Sequence, residues 1–333
     1  MHQFRTVSLL SLIVIASLCC AQDGRQEPTW PSRSLRLIAV GAPGGSVDIP
    51  ARVIAERLKD RLGQPVLVEN RPQAGGTLGS ETVARAAADG YTLLLAFNGP
   101  LANAPHFFPK LGYNPLTDFS PIIQTSNQPF VLAVSTASGI DSVGQFIDSA
   151  RKAPGKLNYA SLGNGSGSHL SMELLKTKAR LYVLHIPYNG APAAAAALAS
   201  GEAHAAFLPP AALLPHARAG RIKLLAVSGR ERFTLLRELP TVREAGASAA
   251  AALRDFDADA WNGLLAPAGT PRAVIERLNQ EVQRILALPE VRELFERNLI
   301  QPAGGSSEAF GRLVQSEFRK WGPVIRYTGA KPD

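Results

Sequence analysis

Cysteine is almost missing: the 333 residues contain two, Cys19 and Cys20, side by side near the amino terminus. Beyond residue 20 there is therefore no thiol nucleophile, no disulfide and no thiolate metal ligand. Histidine is sparse as well. The six, at 2, 106, 169, 185, 204 and 216, show no metal-binding spacing such as His-Glu-x-x-His, so no metal is expected. Past the amino terminus no apolar run is long enough to span a bilayer. The excess of positive charge, +8, is scattered and not gathered into a Lys/Arg stripe interleaved with aromatics, which argues against nucleic acid and leaves small anions as the partners a basic surface attracts. The phosphate-binding and nucleophile motifs are absent too. Gly163-Asn164-Gly165-Ser166-Gly167-Ser168 is not G-x-G-x-x-G, has no closing Gly-Lys-Ser/Thr, and does not match G-x-S-x-G. No cofactor is implied.

What is present is an ordinary globular composition, 46% apolar and 19% charged, in a length that suits one large domain or two of average size. The first residues stand apart. A short basic start, an apolar stretch over 7–18 and the small residues Cys19-Cys20-Ala21 read as a secretory signal peptide over 1–21, cleaved after Ala21. Cleavage there leaves a mature chain without cysteine and with a charge of about +7. A lipid on Cys19 or Cys20 fits poorly with Leu18 or Cys19 directly before it. Residues 22–34 read as a polar, flexible tether.

From Leu35 the pattern alternates between strand and helix, which predicts an α/β fold with a largely parallel sheet. A strand over 35–40 enters Pro43-Gly44-Gly45, and a helix follows with Ile49/Val53 and Ile54/Leu58/Leu62 each four apart. Ser46 could cap that helix, with Asp48 in its first turn. Further strands are expected over 66–70, 91–97, 157–161, 182–186, 203–208 and 221–227, with extended segments between 122 and 134. Helices are expected over 77–88, 143–150, 169–178 and from 191 to 200. Thr270-Pro271 marks a cap-plus-proline start, and Pro289 should break the helix that follows. A last amphipathic helix carries Phe310, Leu313, Val314 and Trp321.

Four strand ends thus run into Gly-rich or polar loops: 42–48, 98–100, 162–168 and 187–190. Ligands of open α/β sheets bind outside the carboxyl ends of the strands. Four such loops, divided between an early and a middle segment, suggest two sheets facing across a cleft. Glycines let a ligand approach the backbone, and a helix start offers N–H groups and a positive dipole end to a carboxylate. Gly44, Gly45, Gly165 and Ser166 are the foremost candidate donors, with Ser168 adding a hydroxyl. Asp48 either meets the ligand or merely complements the helix dipole. His169 reads as a helix-start hydrogen-bonding residue; a Ser166 or Ser168 nucleophile with His169 as base is the rival, hydrolytic reading. Tyr188 could line an aromatic wall, and Phe207 reads as core.

These motifs, taken in order, are similar to one known family. Ala42-Pro43-Gly44-Gly45-Ser46-x-Asp48, Val68-Glu69-Asn70-Arg71-Pro72, Ala74-Gly75-Gly76 and Asp89-Gly90-Tyr91-Thr92-Leu93 carry the first part of the resemblance. Ser168-His169-Leu170, His185-Ile186-Pro187-Tyr188, Pro240-Thr241-Val242 and Trp261-x-Gly263-Leu264-x-Ala266-Pro267-Ala268-Gly269-Thr270-Pro271 continue it over nearly the whole mature chain. It resembles the exported receptors of tripartite tricarboxylate transporters, the Bug or TctC-type solute-binding proteins. The resemblance implies a type II-like periplasmic flytrap with lobe 1 from 35–130 and 258–333 and lobe 2 from 131–257. It implies a periplasmic, non-enzymatic, monomeric receptor that holds a small carboxylate between its lobes and delivers it to membrane permease subunits. A sensory receptor that docks a signalling protein remains the alternative within that frame. By the same resemblance the ligand residues are Pro43, Gly44, Gly45, Ser46, Asp48, Asn98, Gly99, Ser161, Asn164, Gly165, Ser166, Ser168, His169, Tyr188, Asn189 and the position of Ala197. Two departures matter. Ala197 stands where the family usually has Asp, which favours a dicarboxylate or aromatic acid over an amino acid. Asn189 stands where Lys or Arg is common, which disfavours a highly charged anion.

Overall fold

The computed structural model describes residues 30–329; the signal-peptide reading and the start of the tether lie outside the described residues. Eleven strands are described: β1 (Leu35–Ala39), β2 (Val66–Asn70), β3 (Thr92–Phe97), β4 (Phe119–Gln128), β5 (Val131–Ser135), β6 (Asn158–Ser161), β7 (Leu184–Pro187), β8 (Ala205–Leu208), β9 (Ile222–Val227), β10 (Ala260–Pro267) and β11 (Gln301–Pro302). They form two sheets, ordered β11-β4-β10-β3-β1-β2 and β7-β6-β8-β5-β9.

The sheets are mixed, which corrects the expectation of a largely parallel one. β1 pairs parallel with β2 and β3, and β6 with β7 and β8. Two strands break the pattern: β10 lies antiparallel to β3 and β4, and β5 antiparallel to β8 and β9. The reason is connectivity. β4 leaves the six-stranded sheet and continues almost directly into β5 of the other, and the chain returns from β9 to β10. A strand that enters from the other sheet is not bound by the crossover that keeps consecutive strands of one sheet parallel. The sequence pattern around 260–267 and the helix Pro210–Arg218 carried no expectation of their own.

Both sheets are covered on both faces, and the period-2 alternation of the strands assigns each side chain to its layer. In β1, Leu35, Leu37 and Ala39 face the helices Asp48–Leu62 and Arg272–Ala287, while Ile38 faces Tyr113, Trp261 and Phe310. In β5, Leu132 and Val134 join one cluster and Val131 and Ala133 the other. Pro289 acts as expected. The preceding helix stops at Ala287, and Pro289 takes the first position of Pro289–Arg297, where its missing N–H is no loss. Thr270 is not a cap; Pro271 occupies that position, and the Thr270 hydroxyl donates to the Pro267 carbonyl instead.

Two features tie the sheets together. The helix Ser307–Thr328, about 33 Å long at 1.5 Å per residue, buries Phe310 and Val314 against the six-stranded sheet. Further along, its Trp321, Val324 and Ile325 pack into the cluster of the five-stranded sheet. The crossing segments meet on Ser228. Its Oγ accepts the Phe130 N–H at 2.9 Å and donates to Asp259 Oδ1 at 3.1 Å, while its N–H reaches the Phe130 carbonyl at 2.9 Å.

Candidate functional site

At the end of β1 the chain turns through residues 42–48 into the helix Asp48–Leu62. Gly44 sits at φ +74°, a conformation that costs a side-chain-bearing residue energy. Asp48 is 2% exposed and points back into the loop. Its Oδ2 accepts the Gly44 N–H at 2.8 Å and Arg52 Nε at 2.9 Å, and its Oδ1 accepts Asn70 Nδ2 at 2.8 Å. Burial pushes the carboxyl up, but the hydrogen bonds from Arg52, Gly44 and Asn70 outweigh it and hold the Asp48 pKa below its ordinary value. Asp48 is therefore the brace of the loop. Asn70 completes it, donating also to the Gly41 carbonyl at 3.0 Å and accepting Arg52 Nη2 at 2.9 Å. Asn70 lies opposite Ala39 in the β1–β2 register, so strand pairing sets it beside the turn.

Ser46 is not the cap. Val47 occupies the N-cap position with no side-chain hydrogen bond, Ser46 is exposed, and its carbonyl accepts Asn262 Nδ2 at 2.9 Å. The first helical bond runs from the Ile49 N–H to the Gly45 carbonyl at 3.0 Å, so the amides of Ser46, Val47 and Asp48 precede it. Gly45 donates to the Ala42 carbonyl at 3.0 Å. Pro43 is exposed beside this turn. Asn98, 5% exposed, follows β3, and at Gly99 an added Cβ would fall 2.2 Å from the Phe97 ring. Only glycine fits there.

The second group belongs to the five-stranded sheet. Ser166 caps the helix Gly167–Ala179, its Oγ accepting the His169 N–H at 3.2 Å and donating to the Gly163 carbonyl at 2.7 Å. The Gly165 N–H donates to His169 Nδ1 at 3.0 Å. Ser161 Oγ lies 2.7 Å from His185 Nε2, and the Tyr188 N–H donates to the Ser161 carbonyl at 3.1 Å. The His169 and His185 rings stack at 3.9 Å and 10°, and the Tyr159 ring lies 4.9 Å from His185 and 6.3 Å from His169. Beneath them Glu173 Oε1 accepts the Tyr159 hydroxyl and Lys176 Nζ, each at 2.5 Å, and lies 3.8 Å from His169 Nε2. Burial first, then the Glu173 charge, push the Tyr159 phenol far above its ordinary pKa.

Several expected ligand groups are otherwise engaged. Gly44, Gly45 and Gly165 spend their N–H groups, and Ser166 its hydroxyl proton, inside their own loops. Ser168 is fully buried and donates to the Phe207 carbonyl at 2.5 Å. With both serine protons given to carbonyls, the Ser166/Ser168–His169 arrangement is not formed. The Tyr188 hydroxyl donates to Glu202 at 2.7 Å; burial and that carboxylate push its pKa up to about 12. Ala197 is 5% exposed and packs in the apolar cluster of Val131, Leu198 and Leu208, against which Leu162 and Tyr188 also pack. Asn189 is exposed, and Asn164 sits half-buried in the glycine loop. Asn70, Arg52, His185 and Tyr159 were not among the expected ligand residues. Their signal was position: each lies on or beside a strand or helix end that borders a loop.

A cavity of about 290 Å³ opens elsewhere, at the crossing segments, lined by Gln124, Asn127, Arg230, Asp257, Asp259 and Trp261 among others. None of these belongs to the loops 42–48, 98–100, 162–168 or 187–190. Burial first and Asp257 second push the Asp259 carboxyl up to about 7, against the opposing bond from Ser228. Among the described residues no cluster suited to a metal ion occurs, and no helix is long and apolar enough to cross a membrane.

The chain is similar to several characterised folds and sequences. It is 33% identical to the protein BugT of Bordetella pertussis over 330 residues, covering 98% of this chain and 99% of that one. R. palustris Rpa4515, solved with adipate, superposes with a TM-score of 0.75 at 32% identity, over 91% of this chain and all of that one. MatC (Rpa3494) from Rhodopseudomonas palustris, with bound malate, gives 0.71 at 31% identity, over 89% of this chain and 99% of that one. The model of the tripartite tricarboxylate transporter family receptor, TctC, matches residues 50–330. With that match, and with the two-sheet architecture of the periplasmic solute-binding proteins, this chain belongs to the TctC family of solute-binding receptors.

Proposed function

We propose that the chain is an exported receptor that captures a small carboxylate between loops 42–48 and 98–99 of one lobe and 161–169 and 185–190 of the other. It then presents that carboxylate to membrane permease subunits. The lobes of this reading are 35–130 with 258–333, and 131–257. The observation that carries it is the helix start at Asp48. No side chain caps it, and its own carboxylate is turned inward onto Gly44, Arg52 and Asn70. A buried anion that stays out of the way leaves the amides of Ser46, Val47 and Asp48, at the positive end of a 15-residue helix, for an external carboxylate. Relatives solved with adipate and with malate support a dicarboxylate. The Ala197 argument against amino acids does not, because position 197 packs in the core.

The same reading makes the protein a binder without turnover, supported by the engaged hydroxyls of Ser166 and Ser168. It places the mature start at Gln22, so amino-terminal sequencing of periplasmic material should begin there. The main test is a thermal-shift titration with adipate, malate and their dimethyl esters. A hundredfold excess over the dissociation constant adds about 2.7 kcal/mol, or about 5–10 °C in Tm for a protein of this size. The acids should show that shift and the esters should lose most of it. Equal shifts for acid and ester overturn the carboxylate reading.

A further inference from the structure

We propose that Asn262 is a positioning residue of the carboxylate site: its side-chain amide holds the Ser46 carbonyl and thereby aims the Val47 N–H at the ligand. The direction of that donor is then set by a strand that joins the two sheets. The inference deepens the reading above and rests on loop 42–48 being where the carboxylate sits. The grip of the amide on the loop does not.

Asn262 lies near the start of β10, the strand by which the chain returns from the five-stranded sheet, and is 4% exposed. Its Nδ2 donates to the Ser46 carbonyl at 2.9 Å and to Ser126 Oγ on β4 at 2.9 Å. A carbonyl only accepts, so the atom facing it must be the amide nitrogen, and both Nδ2 protons are spent. One side chain thus links β10, β4 and the loop. These are the strands through which the chain leaves the six-stranded sheet and comes back to it.

Local register explains the meeting. Alternation along β10 sends Trp261 and Leu265 to the face of Ile38 and Phe310. Asn262 and Leu264 take the opposite face, where Leu264 shares a cluster with Val47 and the helix Asp48–Leu62. On β4 the register slips: Asn262 lies opposite Ser126, but Gly263 lies opposite Gln124, so Thr125 is one residue too many. A bulge of this kind re-aims the side chains beside it. It also has a cost. Thr125 is fully buried, and its hydroxyl has no partner among the described residues.

In a trans, planar peptide the N–H points opposite to the carbonyl. With the Ser46 carbonyl turned onto Asn262, the Val47 N–H is directed away from β10. The Val47 side chain, 4% exposed, anchors the same residue in the core. Its N–H precedes the first helical bond, from Ile49 to Gly45, so no helical acceptor takes it. Asp48 braces the loop from the helix side and Asn262 from the sheet side, and the Val47 donor between them is left for a carboxylate.

The test uses the mature chain, adipate and two variants. Asn262→Leu keeps the bulk and removes the donor; Ser126→Ala removes the amide's other partner and leaves the tether to Ser46. By calorimetry, Asn262→Leu should bind adipate at least about tenfold more weakly than wild type, because a charge-assisted hydrogen bond loses its fixed direction. Ser126→Ala should stay within about twofold. By NMR, adipate should move the Val47 amide proton downfield in wild type and Ser126→Ala but not in Asn262→Leu. Without ligand, the Ser46 carbonyl ¹³C resonance should move upfield in Asn262→Leu alone. A purely structural amide would weaken binding in both variants alike, which overturns the inference. So does a wild-type Val47 amide that ignores adipate, or a Ser46 carbonyl that does not move. If Asn262→Leu does not fold, Asn262→Ala takes its place and the wild-type Val47 titration stands. If wild-type protein binds neither adipate nor malate, the carboxylate reading fails, while the ligand-free Ser46 resonance still judges whether Asn262 holds the loop.

Discussion

The two glycine turns look alike as sequences and are held in opposite ways. Loop 42–48 is braced by a carboxylate, Asp48, with Arg52 and Asn70 as fixed donors around it. Loop 162–168 is held by an imidazole acceptor and a serine cap. The first brace loses its charge only in strong acid, because the Asp48 pKa is depressed. Its stabilising contribution is present above the ordinary carboxylate pKa and is lost as the pH falls through the lower, folded value. The second brace depends on the acceptor nitrogen of one imidazole and on one hydroxyl. One half of the proposed site is thus held by a buried carboxylate and the other by a ring nitrogen and a hydroxyl.

The sharpest way to break this comparison is Asp48→Ala. It strands Gly44, Arg52 and Asn70 without their acceptor, which should cost about 1–3 kcal/mol, or a Tm loss of about 3–10 °C. Adipate binding should weaken at least about tenfold, since the amides of 46–48 lose their fixed direction. Wild-type affinity by calorimetry would show that the loop needs no brace. A smaller effect is expected at the crossing segments, where the buried carboxyl is that of Asp259. Because the Asp259 carboxyl is pushed up to about 7, the folded protein holds a proton between about pH 4 and pH 7 that the unfolded chain has released. Stability from this group therefore falls as the pH rises through that window. Asp259→Asn should raise Tm by about 2–5 °C at pH 8 and by little at pH 4.5. A gain equal at both pH values would remove the carboxyl as its cause.

Next in size is the contrast between the two serines. Ser166→Ala removes a working cap and should cost about 1 kcal/mol, read as about 2–4 °C in Tm. Ser46→Ala removes nothing that caps, and should stay within about 0.5 kcal/mol of wild type. Equal losses would mean that the turns are capped alike. The smallest effect belongs to amide exchange at Gly44. Corrected for intrinsic rates, its protection should be flat from pH 5.5 to 8.

The alternation of strands and helices was legible because burial on both sheet faces leaves largely apolar runs such as 35–40 and 92–97, interrupted only by Arg36 and Thr92. The strand-end loops were legible because glycine and serine cluster there. The direction of the long strands was not, since β4 and β10 read the same whichever way their neighbours run. Individual donors were not legible either. Nothing in Gly44-Gly45 or Gly163-Asn164-Gly165 tells whether an N–H points outward or is spent on Asp48 or His169. Ser46 and Ser166 have the same residue type and similar positions before a helix, yet the helix starts one residue later than the sequence suggested in one case and directly after the serine in the other.

The sequence by itself determined the α/β class, the family and the positions of the four loops, because those depend on periodicity and on local turn chemistry carried by neighbouring residues. Only the tertiary structure decided what each polar group does there. Asp48 meets Asn70, 22 residues away, because β1 and β2 pair in register. His169 meets His185 because β6 and β7 lie side by side beneath one helix end. A hydrogen bond is decided by a partner's position to a few tenths of an ångström, and for these groups that position is fixed by strand pairing between segments that are distant in the chain.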